Sequence, residues 1–182
     1  MNTAIKHKDL ARSRLTSRAV WDKVTKASFA VLSYVTPTGE PRASGVVYKA
    51  IGKRLYIATD TDSWKARHIA RSGRVAMTVP VRRGALLSLV VPIPPATVSF
   101  HGSAVVHPAD APEVRPLLHQ LKSLLPDERR SNAVVIQVTP EGAFVTYGIG
   151  VSLSQMRDPD AAGARVPVME PAPLPTTRAV EP

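Results

Sequence analysis

Between Arg54 and Thr78 the chain reads RLYIATDTDSWKARHIARSGRVAMT, an apolar run that ends in hydroxyls and opens onto Lys65, Arg67, His68 and Arg71. Asp62 or Ser63 can cap a helix over Trp64–Arg71, and Gly73 can close it. A helix start presents unpaired N–H groups and the positive end of the helix dipole, so the anion it suits is a phosphate. The hydroxyls of Thr59 and Ser63 and the ammonium of Lys65 would complete such a seat as neutral and charged donors. Taken singly, Thr59 fits a strand, Ser63 a cap and Lys65 a solvated helix surface. In this order, after a strand and before a helix, they favour a ligand.

The elements that must hold this seat follow from hydrophobic period and turn chemistry. Ser17 can cap a helix through about Lys26, with Val20, Trp21 and Val24 on one side. From Ser28 the period becomes two, and Phe29, Val31, Ser33 and Val35 alternate with Ala30, Leu32 and Tyr34, so both faces are largely apolar and a buried or near-buried strand is expected. Pro37-Thr38-Gly39-Glu40 is a turn, residues 41–49 run back, Gly52-Lys53 turns again, and residues 54–59 form a third strand. Arg74–Val79 resumes as strand after the helix.

An apolar run, Ala85 to Val91, is broken by Pro92-Ile93-Pro94-Pro95, and Thr97–Val106 is a further strand. Leu117, Leu118, Leu121, Leu124 and Leu125 stripe a helix over Glu113–Leu125, with Pro116 tolerated in its first turn. Asn132–Thr139 and Gly142–Tyr147 read as a final hairpin. The count is six or seven strands with two or three short helices, a mainly β (α+β) pattern that suits a small barrel better than alternating βαβ units. Residues 1–16 form a basic arm, 17–157 the domain, and 158–182 a Pro/Ala-rich tail.

At 182 residues the chain is the length of one domain with a sizeable core. Residues 1–90 hold 17 Lys/Arg against 5 Asp/Glu, and the remainder 7 against 9. Such a basic half attracts any polyanion, but three Phe, four Tyr and two Trp, not interleaved with the cations, make a poor stacking platform for nucleic acid. With no cysteine, disulfides, thiolate metal sites and cysteine nucleophiles are excluded. No apolar stretch reaches the ~20 residues of a membrane span, and the polar N-terminus lacks a secretory core, so a cytoplasmic protein is expected. Neither a Ser/His/Asp elbow nor a GxxxxGK[ST] loop is present, which removes hydrolase and nucleoside-triphosphatase readings.

Thr59, Ser63 and Lys65, as T-x-x-x-S-x-K after a strand, with Arg42 on the strand before, resemble the phosphate grip of the pyridoxamine 5′-phosphate oxidase-like, FMN-binding split-barrel family. The resemblance spans roughly residues 20–150. It implies a split β-barrel that dimerises, with a flavin in the groove between subunits, and an oxidoreductase acting on a small organic substrate. Arg42, Ser44, Thr59, Ser63 and Lys65 then become cofactor-binding positions, and Tyr48 and Lys49 come to lie near the isoalloxazine edge. Trp64 stands where the oxidase proper carries a second basic residue, and Arg67 could supply that charge. FMN and the deazaflavin F420 share a phosphate end on a tricyclic ring, so both stay open, with the basic arm around Lys6, Lys8, Arg12 and Arg14 a candidate for F420's anionic tail. A non-catalytic flavin- or haem-binding protein on the same barrel is the alternative. His68 reads as structural, and His101 and His107 lack a further partner at ligand spacing, so no metal site is expected.

Overall fold

The computed structural model describes residues 15–82 and 94–169. Helix α1 (Ser17–Lys26) is followed by strands β1 (Phe29–Val35), β2 (Pro41–Val47), β3 (Lys49–Ile51) and β4 (Arg54–Asp60), helix α2 (Trp64–Ser72) and strand β5 (Arg74–Val81). Then come β6 (Ala96–Pro108), the short helix α3 (Leu118–Leu121), β7 (Ala133–Tyr147), the single turn α4 (Pro159–Ala162) and β8 (Gly163–Pro167), with 3₁₀ turns between them. The eight strands make one curled antiparallel half-barrel in the order β2-β1-β5-β6-β7-β4-β3, with β8 added beside β7. The small barrel expected from the strand spacing, and the split barrel that the resemblance implies, is therefore what forms, with one or two more strands than the turn signals separate.

Inside the curl, Ala30 and Leu32 of β1, Val46 of β2, Leu55 and Ile57 of β4, and Ile136 and Val138 of β7 meet Val20, Trp21 and Val24 of α1. Phe144 is the hub, with edge-on contacts to Trp21 at 5.3 Å and Phe100 at 5.5 Å between ring centroids. A second, smaller core lies on the opposite face of β4 and β7, where Tyr56, Ala133 and Val135 are covered by Ala109, Val114, Leu121 and Leu125. The leucine stripe thus does its expected burying, but not as one helix over Glu113–Leu125. Residues 115–117 are a 3₁₀ turn and only Leu118–Leu121 is α-helical. Pro116 is part of the reason, since it has no N–H with which to continue an α ladder.

The expected final hairpin is a single 15-residue strand, β7. Its pairing with β6 shifts register between Ser99, opposite Val145, and His101, opposite Glu141, so β7 carries two extra residues there. Gly142, at φ +66°, takes up that bulge. Gly102 is held for a different reason: a Cβ there would stand 2.2 Å from the Thr139 carbonyl oxygen, so the strands close only around a bare backbone. Arg74 and Glu141, 2.8 Å apart, bridge β5 and β7 across β6. The Ser103 hydroxyl, and after it Arg74, hold the Glu141 carboxyl below its ordinary range.

Part of the expected tail is structure rather than tail. β8 pairs with β7, and the Val168 carbonyl just beyond it accepts from both Ser17 Oγ (2.8 Å) and Trp21 Nε1 (3.0 Å), fastening α1 to the barrel. Thr16, one residue before Ser17, is the α1 cap. At the other end of α1, Tyr48 buries its ring and donates its hydroxyl to the Val24 carbonyl at 2.6 Å, capping an acceptor that the helix cannot satisfy itself. Burial pushes the Tyr48 phenol above its ordinary pKa. Tyr48→Phe should cost about 1 kcal/mol, the net worth of a neutral hydrogen bond, read as a lowered midpoint in urea with unchanged slope.

β1 is not buried on both faces. Phe29, Val31 and Val35 are exposed, and their cross-strand partners Val47, Gly45 and Pro41 extend the same apolar outer face. The run at residues 85–91, most of the N-terminal arm with Lys6, Lys8, Arg12 and Arg14, and the last part of the tail lie outside the described residues. No helix among the described residues is long and apolar enough to cross a membrane.

Candidate site at the start of helix α2

β4 carries Leu55 and Ile57 into the barrel, and alternation puts Thr59 on that same face at the strand's end. The chain then turns, with the Ser63 N–H bonded to the Asp60 carbonyl and the Thr61 N–H to the Asn132 carbonyl. Ser63 is the N-cap of α2: its backbone is extended and its Oγ accepts the Ala66 N–H at 3.4 Å. Among the described residues the N–H groups of Trp64 and Lys65 meet no acceptor, as the first N–H groups of any helix must without an external partner. The first turn contains no acid, although exposed Asp60 and Asp62 lie just before it. Gly73, left-handed at φ +62°, closes the helix as the sequence requires, donating to the Ile69 carbonyl.

Lys65 is half-buried, and neither it nor Arg67 forms an ion pair among the described residues. Arg67 instead lies over the Trp64 ring, its guanidinium carbon 5.2 Å from the ring centroid. One turn along, His68 tilts against Trp64 at 5.8 Å and against Tyr34 of β1 at 5.9 Å. Tyr34 in turn places its hydroxyl 3.5 Å from Ser44 Oγ. An aromatic row thus runs from the first turn of α2 across β1 to β2, with the buried His68 Nδ1 unpartnered within it.

Arg42 pairs in register with Tyr34 and so shares its face of the sheet. Its Nη2 holds Glu40 at 2.6 Å. Both Arg42 and Tyr34 line an open hollow of about 420 Å³ that wraps onto the outer face, where Ser33, Val35, Pro41, Ala43 and Ala76 also line it, together with Arg74 and Val75. Its size falls within the range of small-molecule clefts, roughly 300–1,000 Å³.

The fold therefore brings Ser44 to the aromatic row of α2, keeps Arg42 on the same face as Tyr34, and strings Thr59, Ser63 and Lys65 along one strand-to-helix turn. Tyr48 is the correction. With its ring 1% exposed and its hydroxyl committed to α1, it offers nothing to a groove. Lys49 beside it is exposed at the start of β3. Reasoning from sequence did not single out Tyr34, which meets His68 and Ser44, and it read His68 as structural; the His68 ring packs against both Trp64 and Tyr34. The pairing about the Gly39 turn was the available signal for Tyr34, since it sets Tyr34 opposite Arg42. Among the described residues no group of three or more His, Asp or Glu side chains gathers at metal-binding distance.

A family model described as pyridoxamine 5′-phosphate oxidase matches residues 17–147. No curated protein matches the chain. Several solved structures share the fold at low identity. General stress protein 26 of Bacillus anthracis is 19% identical, with 71% of this chain and 92% of that one covered at a TM-score of 0.52. The haem storage protein of Vibrio cholerae is 12% identical, covering 73% and 95% at 0.59. An FAD-binding protein of Mesorhizobium loti is 16% identical, covering 70% and 89% at 0.55.

Proposed function

The chain belongs to the pyridoxamine 5′-phosphate oxidase family, and from that premise we propose that it binds a flavin-type cofactor, FMN or the deazaflavin F420, as an oxidoreductase acting on a small organic substrate. The observation that carries this reading is the α2 start: a Ser63 cap and, among the described residues, two N–H groups without acceptors and a half-buried Lys65 with no carboxylate partner. A dianionic phosphate fits such a place, because it would take up donors that the described residues leave unused. Thr59 adds a hydroxyl from the strand exit, and Ser44 another from β2. Arg42 would reach the anion by giving up its exposed pairing with Glu40, which costs little in water.

When bound, the tricyclic ring supplies the hydride chemistry. The protein's share is to hold the phosphate and to orient the ring along the face shared by Tyr34 and Ser44. No side chain is asked to act as acid or base. The test is spectroscopic: the purified full-length chain is titrated with FMN and with F420, and retained flavin absorbance or quenched F420 fluorescence is expected. A Soret band with no affinity for either tricycle would instead favour the haem-binding alternative.

We also propose that the working form is a homodimer, in which a second copy covers the outer face of β1 and β2. Phe29 is 47% and Val47 55% exposed there, and they stand directly opposite one another. With Val31, Val35, Pro41 and Gly45 they form a contiguous apolar face of the kind that marks an interaction surface. Val31→Asp would strand a charge in that contact and should raise the dimer dissociation constant roughly tenfold. Sedimentation velocity across a concentration series measures it, and a wild-type chain that stays monomeric would remove the proposal.

A further inference from the structure

We propose that Trp64 and Arg67 form a recognition surface for an adenosine group joined to the phosphate of FMN, so that of the two tricycles proposed above the chain takes FMN, and takes it in its adenylylated form, FAD. This rests on the phosphate reading of Ser63 and Lys65 and deepens it.

Trp64 is 69% exposed at the first position of α2, and packing does not explain it. The helix is anchored by Ala66 and Ile69, its two buried residues. The indole is nonetheless positioned: the Arg67 guanidinium lies against it, and His68 tilts at 49° beside it. Residues three and four positions apart share a helix face, so these two neighbours hold the ring through their own backbone spacing. The result is a positioned aromatic face next to a cation without an acid partner among the described residues, directly adjacent to Lys65.

That combination is the chemistry of nucleotide recognition, in which a base stacks on an aromatic side chain and a guanidinium takes phosphate oxygens. A terminal phosphate, as in FMN, would be satisfied by Ser63, Lys65 and the free N–H groups and would leave the indole in water. A pyrophosphate brings a second anionic group within the province of Arg67 and carries a purine onward to the indole. The phosphodiester of F420 continues into an aliphatic, acidic tail, which has charge for Arg67 but no ring for Trp64.

The test compares FAD, FMN and F420 binding to the full chain and to Trp64→Ala, Trp64→Phe and Arg67→Ala, with thermal melting to show that these exposed substitutions leave the fold intact. Wild type is expected to bind FAD about tenfold more tightly than FMN, on the scale of one stacked base. Trp64→Ala should erase that preference by weakening FAD while leaving FMN within about twofold, and Trp64→Phe should keep part of it. Equal affinity for FAD and FMN in wild type, an equal loss for both in Trp64→Ala, or tight F420 binding indifferent to Trp64 would each overturn the inference while leaving the phosphate seat standing. Failure of the wild type to bind any of the three would overturn the cofactor reading itself, and this inference with it.

Discussion

Lys65→Ala weakens flavin or deazaflavin binding by about 1.5–3 kcal/mol, roughly 10- to 150-fold, the range for losing a hydrogen bond to a charged group. The expectation comes from position. Lys65 sits in the first turn of α2 beside the Ser63 cap, half-buried, with no carboxylate within reach among the described residues to compete for its ammonium. A solvated surface lysine would cost almost nothing to remove. Lys65→Arg should restore part of the affinity, because it keeps the charge while changing the donor geometry. Equilibrium titration followed by absorbance measures the effect, with the melting temperature of the ligand-free variant as control. Unchanged affinity in Lys65→Ala, with the fold intact, would move the phosphate away from this turn.

Phe144→Ala is expected to remove about 3–5 kcal/mol of stability, the upper range for deleting a buried aromatic ring. Phe144 is fully buried and touches Trp21 and Phe100 edge-on, so its loss opens a cavity between α1, β6 and β7 at once. Collapse to fill that cavity is opposed by the bonds from Ser17 and Trp21 to the Val168 carbonyl, which hold α1 in place. In a domain whose whole stability is of order 5–15 kcal/mol, this is a large fraction. Denaturant unfolding of the ligand-free protein reads it directly. A loss under about 1 kcal/mol would mean that the aromatic cluster is not the hub of the barrel.

Much of the geometry of the candidate site was legible because its central part is local. Thr59, Ser63 and Lys65 fall within seven residues, and cap, dipole and turn chemistry act over that distance, so order in the chain is nearly order in space. The Gly73 closure was legible for the same reason. Tyr34 and His68, by contrast, meet across 34 positions, and their contact depends on how α2 lies against β1. Tyr48 looked available because an aromatic near a strand end is ambiguous between core and groove, and only the packing of α1 over the barrel resolves it. The single long β7 was misread at Pro140-Glu141-Gly142, a sequence that suits a turn. There the pairing with β6 continues on both sides of those residues and turns them into a bulge.

The amino-acid sequence by itself determined the β-rich barrel and the short phosphate-suited turn, because periodicity and capping are properties of neighbours in the chain, and the order of Arg42, Thr59, Ser63 and Lys65 carried the family resemblance. Only the tertiary structure decided which face of each strand points inward. Alternation gives a strand two faces without saying which is the core, and β1 is apolar on both. The choice is made when β1 pairs with β5, a partner far along the chain, and when β4 pairs with β7, since those pairings curl the sheet and close α1 and Phe144 inside it. The same curvature puts Tyr34, with Ser44 at its hydroxyl, against His68 of α2 and leaves Phe29 and Val47 facing out.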